Sequence, residues 1–343
     1  MARVLVTGGA GFIAAHVMLA LLREGHAVRA TLRDLARESE VRAMLAAGGA
    51  PADAPLGFHR ADLLEDAGWA AAVAGCDGVL HVASPLPAGL VAADEGALIR
   101  TAREGTLRVL KAARAAGVRR VVVTSSFSAV GYGHPPRAGR YDESDWTDPE
   151  GVGVDAYTRS KTLAERAAWD FVAGEGAGME LASINPVVVL GPALGPDLSA
   201  SLDLIRALLD GTVPATPRVF FGLVDVRDVA ELHVKAMTAP EAAGQRFLAT
   251  SGDAVSLHQI ARMLRDGLGP AGRRAPRFEL PDLLVRLAAL VSPTARLAVP
   301  RLGIRRSASS EKARALLGWS PRPPEEAILA TAESLLRLGL VKG

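Results

Sequence analysis

Residues 3–14 read RVLVTGGAGFIA and decide the fold, because a short apolar run leads into a glycine-rich turn that opens a helix. Glycines let the backbone turn sharply and approach a pyrophosphate, while the helix N-terminus offers free N–H groups and a positive dipole end. A purely structural turn is the alternative. The position directly after the first strand favours a dinucleotide site, with pyrophosphate contacts from Gly8, Gly11, Phe12 and Ile13.

Strand and helix patterns alternate over the first 190 residues or so. Runs such as Val121 to Val123 are apolar on both faces, which is typical of buried parallel strands. The predicted strands lie at 3–7, 27–32, 57–60, 78–82, 120–124 and 180–184, and the predicted helices near 12–24, 66–74, 95–116 and 155–173. This alternation predicts the α/β class, with a Rossmann-type doubly wound parallel sheet.

After Pro186 the pattern loosens into short helical stretches separated by loops, which indicates a smaller, mostly helical C-terminal substrate lobe. We therefore expect an NADP-binding domain over 1–186 plus roughly 219–249. The lobe would take 187–218 and 250–343. Small ligands commonly bind where two such lobes meet.

Composition excludes several classes of function. The 39 basic and 37 acidic residues nearly cancel, so no field recruits nucleic acid. Cys76 is the single cysteine, which rules out an intrachain disulfide or a thiolate zinc site, and we predict no metal. No apolar run reaches the ~20 residues of a membrane span, and the N-terminus turns glycine-rich too early for a signal peptide. We expect a cytoplasmic monomer or homodimer.

The end of the second strand predicts which coenzyme binds. An NAD enzyme usually has an acid there for the ribose 2′-hydroxyl. Here Leu32 is followed by Arg33, with Arg37 four residues on, while Asp34 lies beyond the expected acid position. Two guanidinium groups suit a 2′-phosphate. A solvated arginine pair is the alternative; the position favours NADP(H).

Two further strand ends are candidates for coenzyme contacts. Asp62 and Leu63 follow the third strand, where they would flank the adenine. His81 to Pro85, reading HVASP, end the fourth strand beside the expected crevice, with Val82, Ala83 and Ser84 as the contacts. We interpret His81 itself as a packed strand residue.

Three residues form a candidate catalytic group. Ser126 ends the fifth strand, and Tyr157 and Lys161 follow on a helix, where side chains at i and i+4 share a face. A lysine ammonium about 5 Å from the phenolate, at an effective dielectric of about 20, is worth roughly 3 kcal/mol. It should lower the pKa of Tyr157 and suit it to proton transfer. An ordinary helix pair is the alternative, which the order of motifs disfavours.

The chain resembles the extended short-chain dehydrogenases/reductases, especially the dihydroflavonol-reductase group and the NADPH-dependent aldehyde and methylglyoxal reductases. The resemblance is carried in family order by TGGAGFIA (7–14), RATLRD (29–34), ADL (61–63), HVASP (81–85), VVVTSS (121–126), YDESDW (141–146), YTRSKTLAE (157–165), INPVVVLGP (184–192) and LLGWSPRP (316–323).

The resemblance implies a Ser-Tyr-Lys reductase, and it matches Ser126 to the catalytic serine and both arginines to the 2′-phosphate contacts. It also implies further coenzyme contacts from Pro186, Val187, Val189 and Ser201. Phe127 and Tyr132 would line the substrate pocket or simply pack.

The expected activity is reversible reduction of a small-molecule aldehyde or ketone to an alcohol. A nucleotide-sugar epimerase or dehydratase, or a hydroxysteroid dehydrogenase, is the alternative on the same fold. Arg33 in place of an acid counts against the sugar enzymes, which usually retain NAD. A non-catalytic NADPH sensor is a minor alternative, because the Tyr/Lys pair is intact.

Overall fold

A computed structural model describes residues 1–85, 94–135, 137 and 139–342. Its strands are β1 (Arg3–Val6), β2 (Ala27–Leu32), β3 (Leu56–Arg60), β4 (Gly78–His81), β5 (Arg120–Thr124), β6 (Glu180–Pro186), β7 (Val188–Leu190), β8 (Phe220–Phe221), β9 (Leu223–Asp225), β10 (Gln245–Ala249) and β11 (Val255–Ser256). Seven of them form one parallel sheet in the order β3-β2-β1-β4-β5-β6-β10. From β1, the strands β2 and β3 follow towards one edge of the sheet, whereas β4, β5 and β6 follow towards the other. The direction in which the chain adds strands therefore reverses between β1 and β4. Ligands of such sheets bind at that switch point.

Helices cover both faces of this sheet. The α-helices of the described residues are α1 (Phe12–Arg23), α2 (Glu38–Ala47), α3 (Trp69–Val73), α4 (Glu95–Ala115), α5 (Ala156–Ala173), α6 (Ala200–Leu209), α7 (Val226–Thr238), α8 (Leu257–Leu268), α9 (Asp282–Ala288), α10 (Pro293–Ala298), α11 (Glu311–Leu317) and α12 (Pro324–Arg337). Val4 and Val6 of β1 pack into the core with α1, α2 and α7, whereas Leu5 packs into the core with α3, α4 and α5. Alternate side chains of β1 therefore pack into two different cores, which explains why this strand is apolar at every position from Val4 to Val6.

A third core belongs to the C-terminal part of the chain. Apolar side chains of α6, α8 and α12 bury one another, and β7 and β9 pair beside them. The helix α8 begins with a capping box, in which Ser256 and Gln259 satisfy each other's backbone amides. No helix in the described part of the chain is long and apolar enough to cross a membrane.

The predicted fold class is confirmed, and the predicted strands agree with the structure to within two residues at either end. The stretch expected to return to the main sheet does so through β10, which pairs with β6. The helices α2 and α7 and the short α10 were missed. Only Val41, Met44 and Leu45 of α2 are buried, and α7 buries the polar residues Asp228 and His233, so neither shows a clean apolar stripe.

Candidate active site

The glycine turn joins β1 to α1 and is held by the neighbouring strands. Gly8 donates its amide to Thr31 Oγ1 at 3.1 Å, and Gly9 donates to the Thr31 carbonyl at 2.9 Å. Gly8 has a φ of +73°, and a Cβ there would lie 3.0 Å from Cα of Ala83. Both the backbone conformation and the packing therefore require glycine at this position.

The first turn of α1 fits a pyrophosphate. Gly11 is the N-cap and supplies no side-chain acceptor, and no acidic residue lies in the first turn. The amides of Phe12 and Ile13 meet no hydrogen-bond acceptor in the part of the chain that the structure describes. Unpaired N–H groups at the positive end of a helix are suited to an anion. The donors present thus fit a bound dinucleotide.

The two arginines after β2 differ in their surroundings. Arg37 binds Glu40 through Nε at 2.8 Å and through Nη2 at 2.6 Å, and Nη2 also lies 3.0 Å from Asp197. Arg33 is exposed and has no ion-pair partner among the described residues. Asp34 accepts from the Ala36 amide at 2.9 Å and caps the next turn. The structure thus leaves Arg33 better placed than Arg37 to meet a phosphate.

Two strand ends are predicted to flank the coenzyme, and the one after β4 lies beside the glycine turn. Asp62 Oδ1 accepts from the Leu64 amide at 3.0 Å, and Leu63 packs against the Gly105 backbone of α4. The half-buried residues 82–84 follow β4, and the Ala83 amide donates to Thr7 Oγ1 at 2.9 Å.

His81 is a packed strand residue, as interpreted from the sequence. Its Nδ1 lies 2.8 Å from Thr7 Oγ1 and its Nε2 lies 3.4 Å from Thr106 Oγ1. Burial, and then the nearby charge of Lys161, lowers the pKa of His81 to about 3. The ring is therefore neutral at physiological pH and serves the structure.

Ser126, Tyr157 and Lys161 come together at the carboxyl end of β5. The Ser126 hydroxyl accepts the Ser128 amide at 3.1 Å, which leaves its own proton available to a partner. The Tyr157 side chain is near enough for the Ser126 hydroxyl to act on its pKa, which Ser126 lowers. The adjacent Ser125 is turned away, because its hydroxyl donates to Glu165 at 2.5 Å.

The expected lowering of the Tyr157 pKa is absent from this structure, and that expectation is wrong here. Burial raises the pKa of Tyr157, and the Ser126 hydrogen bond offsets only part of the effect. The Lys161 ammonium acts elsewhere, since its Nζ donates to the Thr124 carbonyl at 3.2 Å. A raised pKa keeps the phenol protonated at neutral pH, as a proton donor must be.

Lys161 is itself buried and perturbed. Burial lowers the pKa of Lys161 to about 8, while the charge of Glu165 acts in the opposite direction. A small cavity of about 20 Å³ lies against Lys161 and is also lined by His81, Thr106 and Ser84. It has room for about one water molecule, with polar partners on several sides.

Sequence reasoning missed Glu165, which lies one turn beyond Lys161. Its carboxylate accepts from Ser183 at 2.7 Å, from Asn185 Nδ2 at 2.7 Å and from Arg246 Nε at 2.7 Å. Burial alone would raise the pKa of Glu165, but Arg246 and the hydroxyl donors outweigh it and hold that pKa below its usual range. The i, i+4 spacing from Lys161 in YTRSKTLAE was the available signal.

The residues after β6 link the sheet to the C-terminal core. Pro186 ends β6, and the Val187 amide donates to the Ala249 carbonyl at 3.1 Å. Ser201, at the start of α6, donates its hydroxyl to the Val189 carbonyl at 2.6 Å. The hydroxyl proton of Ser201 is therefore already used within the protein. Pro186, Val187 and Val189 remain candidate coenzyme contacts.

The doubly wound sheet, the glycine turn at its switch point and the Ser-Tyr-Lys group together define a dinucleotide-dependent enzyme class. The model of the NAD dependent epimerase/dehydratase family matches residues 4–249. The chain belongs to that family.

Individual proteins similar to this chain give more specific comparisons than the family model does. The chain is 37% identical to cinnamoyl-CoA reductase CAD2 of Medicago truncatula over 77% of its own length and 80% of the relative. It is 35% identical to dihydroflavonol 4-reductase of Zea mays, over 81% and 76%. The yeast methylglyoxal/isovaleraldehyde reductase Gre2, solved in complex with NADPH, superposes with a TM-score of 0.79 at 25% identity, covering 98% of this chain and 99% of that one.

Proposed function

We propose that this protein reduces the carbonyl group of an aldehyde or ketone, with Tyr157 as the proton donor. Bound NADPH supplies the hydride. Ser126 donates a hydrogen bond to the substrate oxygen and stabilises the negative charge that develops there. Tyr157 then gives its proton to that oxygen. Lys161 in its protonated form donates hydrogen bonds to the nicotinamide ribose and so positions the coenzyme.

One observation carries this proposal: Lys161 is buried one helical turn after Tyr157 and donates to the Thr124 carbonyl, two residues before Ser126, at the same sheet edge as the glycine turn. The relatives define the wider class, and the protein is an NADP-dependent oxidoreductase. Arg33, exposed at the end of β2, supports NADPH over NADH because no acid replaces it.

The sugar-nucleotide alternative makes a different prediction for the purified protein. Epimerases of this fold usually retain their nicotinamide, so the protein as isolated would absorb as a coenzyme complex. We expect it to be isolated free of coenzyme and to bind NADPH reversibly. A sensor would bind NADPH equally well but would turn over no substrate.

The decisive experiment measures NADPH consumption with a panel of aldehydes, diketones and 2-oxo esters. Tyr157→Phe should lower turnover by about 10²–10⁴, the usual contribution of a positioned proton donor. NADPH binding, followed by the coenzyme's fluorescence, should stay close to that of the wild type. Unchanged turnover in this variant would remove Tyr157 from the mechanism, and an inactive wild type would contradict the proposal as a whole.

A further inference from the structure

The segment 278–297 in the C-terminal part of the chain exposes a large share of the apolar side chains. Of the fourteen large apolar side chains that are exposed among the described residues, seven lie in this segment: Phe278, Leu283, Leu284, Leu287, Leu290, Val291 and Leu297. Single exposed apolar residues are normal on a protein surface, whereas a group of them on one element indicates an interaction site.

The exposed leucines share one face of α9 and of the turn that follows it. Leu283, Leu287 and Leu290 succeed one another at spacings of four and three residues, which places them on the same side of a helix. The other side holds Val285 and Ala289, which are buried. The wider apolar stripe of α9 therefore points outward, which is the reverse of an ordinary surface helix.

The backbone around this stripe is hydrogen-bonded. Leu290 donates its amide to the Leu287 carbonyl at 3.1 Å, and Ser292 donates its amide to the Ala288 carbonyl at 2.9 Å. The Ser292 hydroxyl also caps α10 by accepting the Ala295 amide at 3.3 Å. The exposed leucines thus lie on a defined turn between two helices.

The same part of the chain carries positive charge only. Residues 283–310 contain five arginines and no aspartate or glutamate, whereas the net charge of the whole chain is only +2. Asp282, at the start of α9, is bound by Arg218 at 2.6 Å. Arg286 and Arg296 are exposed and form no ion pair with another described residue.

These two arginines flank the apolar stripe. Arg296 Nε donates to the Ala289 carbonyl at 3.2 Å, which holds this guanidinium at the end of α9, one residue before Leu290. Arg286 lies on α9 itself, directly before Leu287 in the chain and exposed like it. The surface therefore combines exposed leucines with cations that lack an acidic partner among the described residues.

We propose that α9 and the turn after it bind the surface of a membrane that contains anionic lipids. Leucines inserted among the acyl chains, with arginines at the headgroups, are the arrangement of elements that lie on a bilayer without crossing it. With seven residues, α9 is far shorter than the ~20 that a span requires. Each arginine near an anionic surface contributes about fivefold to the affinity.

The charge distribution favours a lipid surface over a second copy of this chain. In a twofold dimer the same patch meets itself, so the arginines of one copy would meet those of the other. Residues 283–310 offer no acid to match them. Anionic headgroups match the arginines, and the acyl chains match the leucines.

Flotation of the protein with lipid vesicles tests the proposal. We expect binding to phosphatidylcholine vesicles that contain about 30% phosphatidylglycerol, and binding at least about tenfold weaker to pure phosphatidylcholine. Binding to the anionic vesicles should fall in about 1 M salt, where charges are screened within about 3 Å. The assay requires neither coenzyme nor carbonyl substrate, so its result does not depend on the proposed reduction.

Two double variants separate the apolar from the charged contribution. Leu287→Gln with Leu290→Gln should weaken binding to the anionic vesicles at least about tenfold, because two apolar side chains no longer insert. Arg286→Gln with Arg296→Gln should weaken it at least about tenfold and remove most of its salt dependence.

Exposed side chains elsewhere supply matched controls. Val152 is 98% exposed, and Arg114 is exposed at the end of α4. Val152→Gln and Arg114→Gln should bind the vesicles as the wild type does. Thermal unfolding of each variant distinguishes lost binding from lost fold, and the lipid and salt dependence of the wild type tests the proposal without any substitution.

Three results would overturn the proposal. The first is a wild type that does not float with the anionic vesicles, and the second is equal weakening by the control variants and the patch variants. The third is a dimer in sedimentation that Leu287→Gln with Leu290→Gln separates, because this face would then join two copies of the chain.

Discussion

Glu165 accepts a hydrogen bond from Arg246 Nε at 2.7 Å, and both side chains are almost completely buried. Glu165 lies on α5, one turn after Lys161, and Arg246 lies on β10 at the edge of the main sheet. The pair therefore ties the helix of the candidate catalytic group to the outermost strand. It also fixes a negative charge beside Lys161, whose pKa that charge acts to raise.

The first prediction concerns the stability of this pair. Removing one partner of a buried ion pair leaves an uncompensated charge, so Arg246→Met should lower the free energy of unfolding by about 3–5 kcal/mol. Glu165→Gln should also destabilise, and the double variant should lose less than the two single losses combined. Denaturant unfolding measures this, with Trp146 as the fluorophore 3.6 Å from the Arg246 guanidinium. Simple additivity would show that the pair contributes no coupling.

The second prediction concerns pH. Burial lowers the pKa of Lys161 to about 8, and His81 beside it is neutral, so Glu165 is the charge that opposes the lowering. Because the protonated form of Lys161 is needed, kcat/KM should fall as pH rises through about 8. Glu165→Gln should move this alkaline limb to lower pH. If Glu165 had only a structural role, Glu165→Gln would lower kcat/KM without moving the alkaline limb of the pH profile.

The lowered pKa of Lys161 also determines how the stability of the fold changes with pH. The pKa of Lys161 is lower in the folded protein than the ordinary 10.5, so between pH 8 or so and 10.5 the unfolded chain binds more protons. Lys161 thus makes the folded state more stable as pH rises through that window. Lys161→Met should flatten this rise, which unfolding at several pH values would detect.

The sequence was sufficient to predict the parallel sheet and the order in which the candidate site residues occur along the chain. Apolar runs on both faces mark buried strands, and the glycine turn and Tyr157 to Lys161 spacing depend on neighbours in the chain. The sequence could not show contacts between side chains that lie far apart along the chain. Arg246 meets Glu165 across 81 residues, and Arg306 meets Tyr132 only after the chain folds back. The electrostatic environment of Tyr157 also depends on burial, which no spacing rule supplies.

The third prediction separates the two arginines after β2. Arg33→Ala should weaken NADPH binding at least about tenfold while changing NADH little, because a charge-assisted contact to the 2′-phosphate is lost. Arg37→Ala should have a smaller effect, since Glu40 and Asp197 already occupy that guanidinium. Equal weakening of both coenzymes by Arg33→Ala would mean that Arg33 does not contact the 2′-phosphate. Coenzyme titrations of the wild type and both variants, followed by fluorescence, give the six dissociation constants that the comparison needs.

The last prediction tests the glycine turn against a matched control. Gly8 and Gly117 have nearly the same φ, +73° and +74°, but a Cβ at Gly8 would lie 3.0 Å from Ala83, whereas at Gly117 nothing lies within 4 Å. Both alanine variants should lose about 1–2 kcal/mol of stability from the left-handed backbone. Only Gly8→Ala must also displace the Ala83 backbone at the coenzyme crevice, so only this variant should weaken NADPH binding. If Gly117→Ala weakened NADPH binding equally, the loss would follow from general destabilisation and the turn would have no specific role in holding the pyrophosphate.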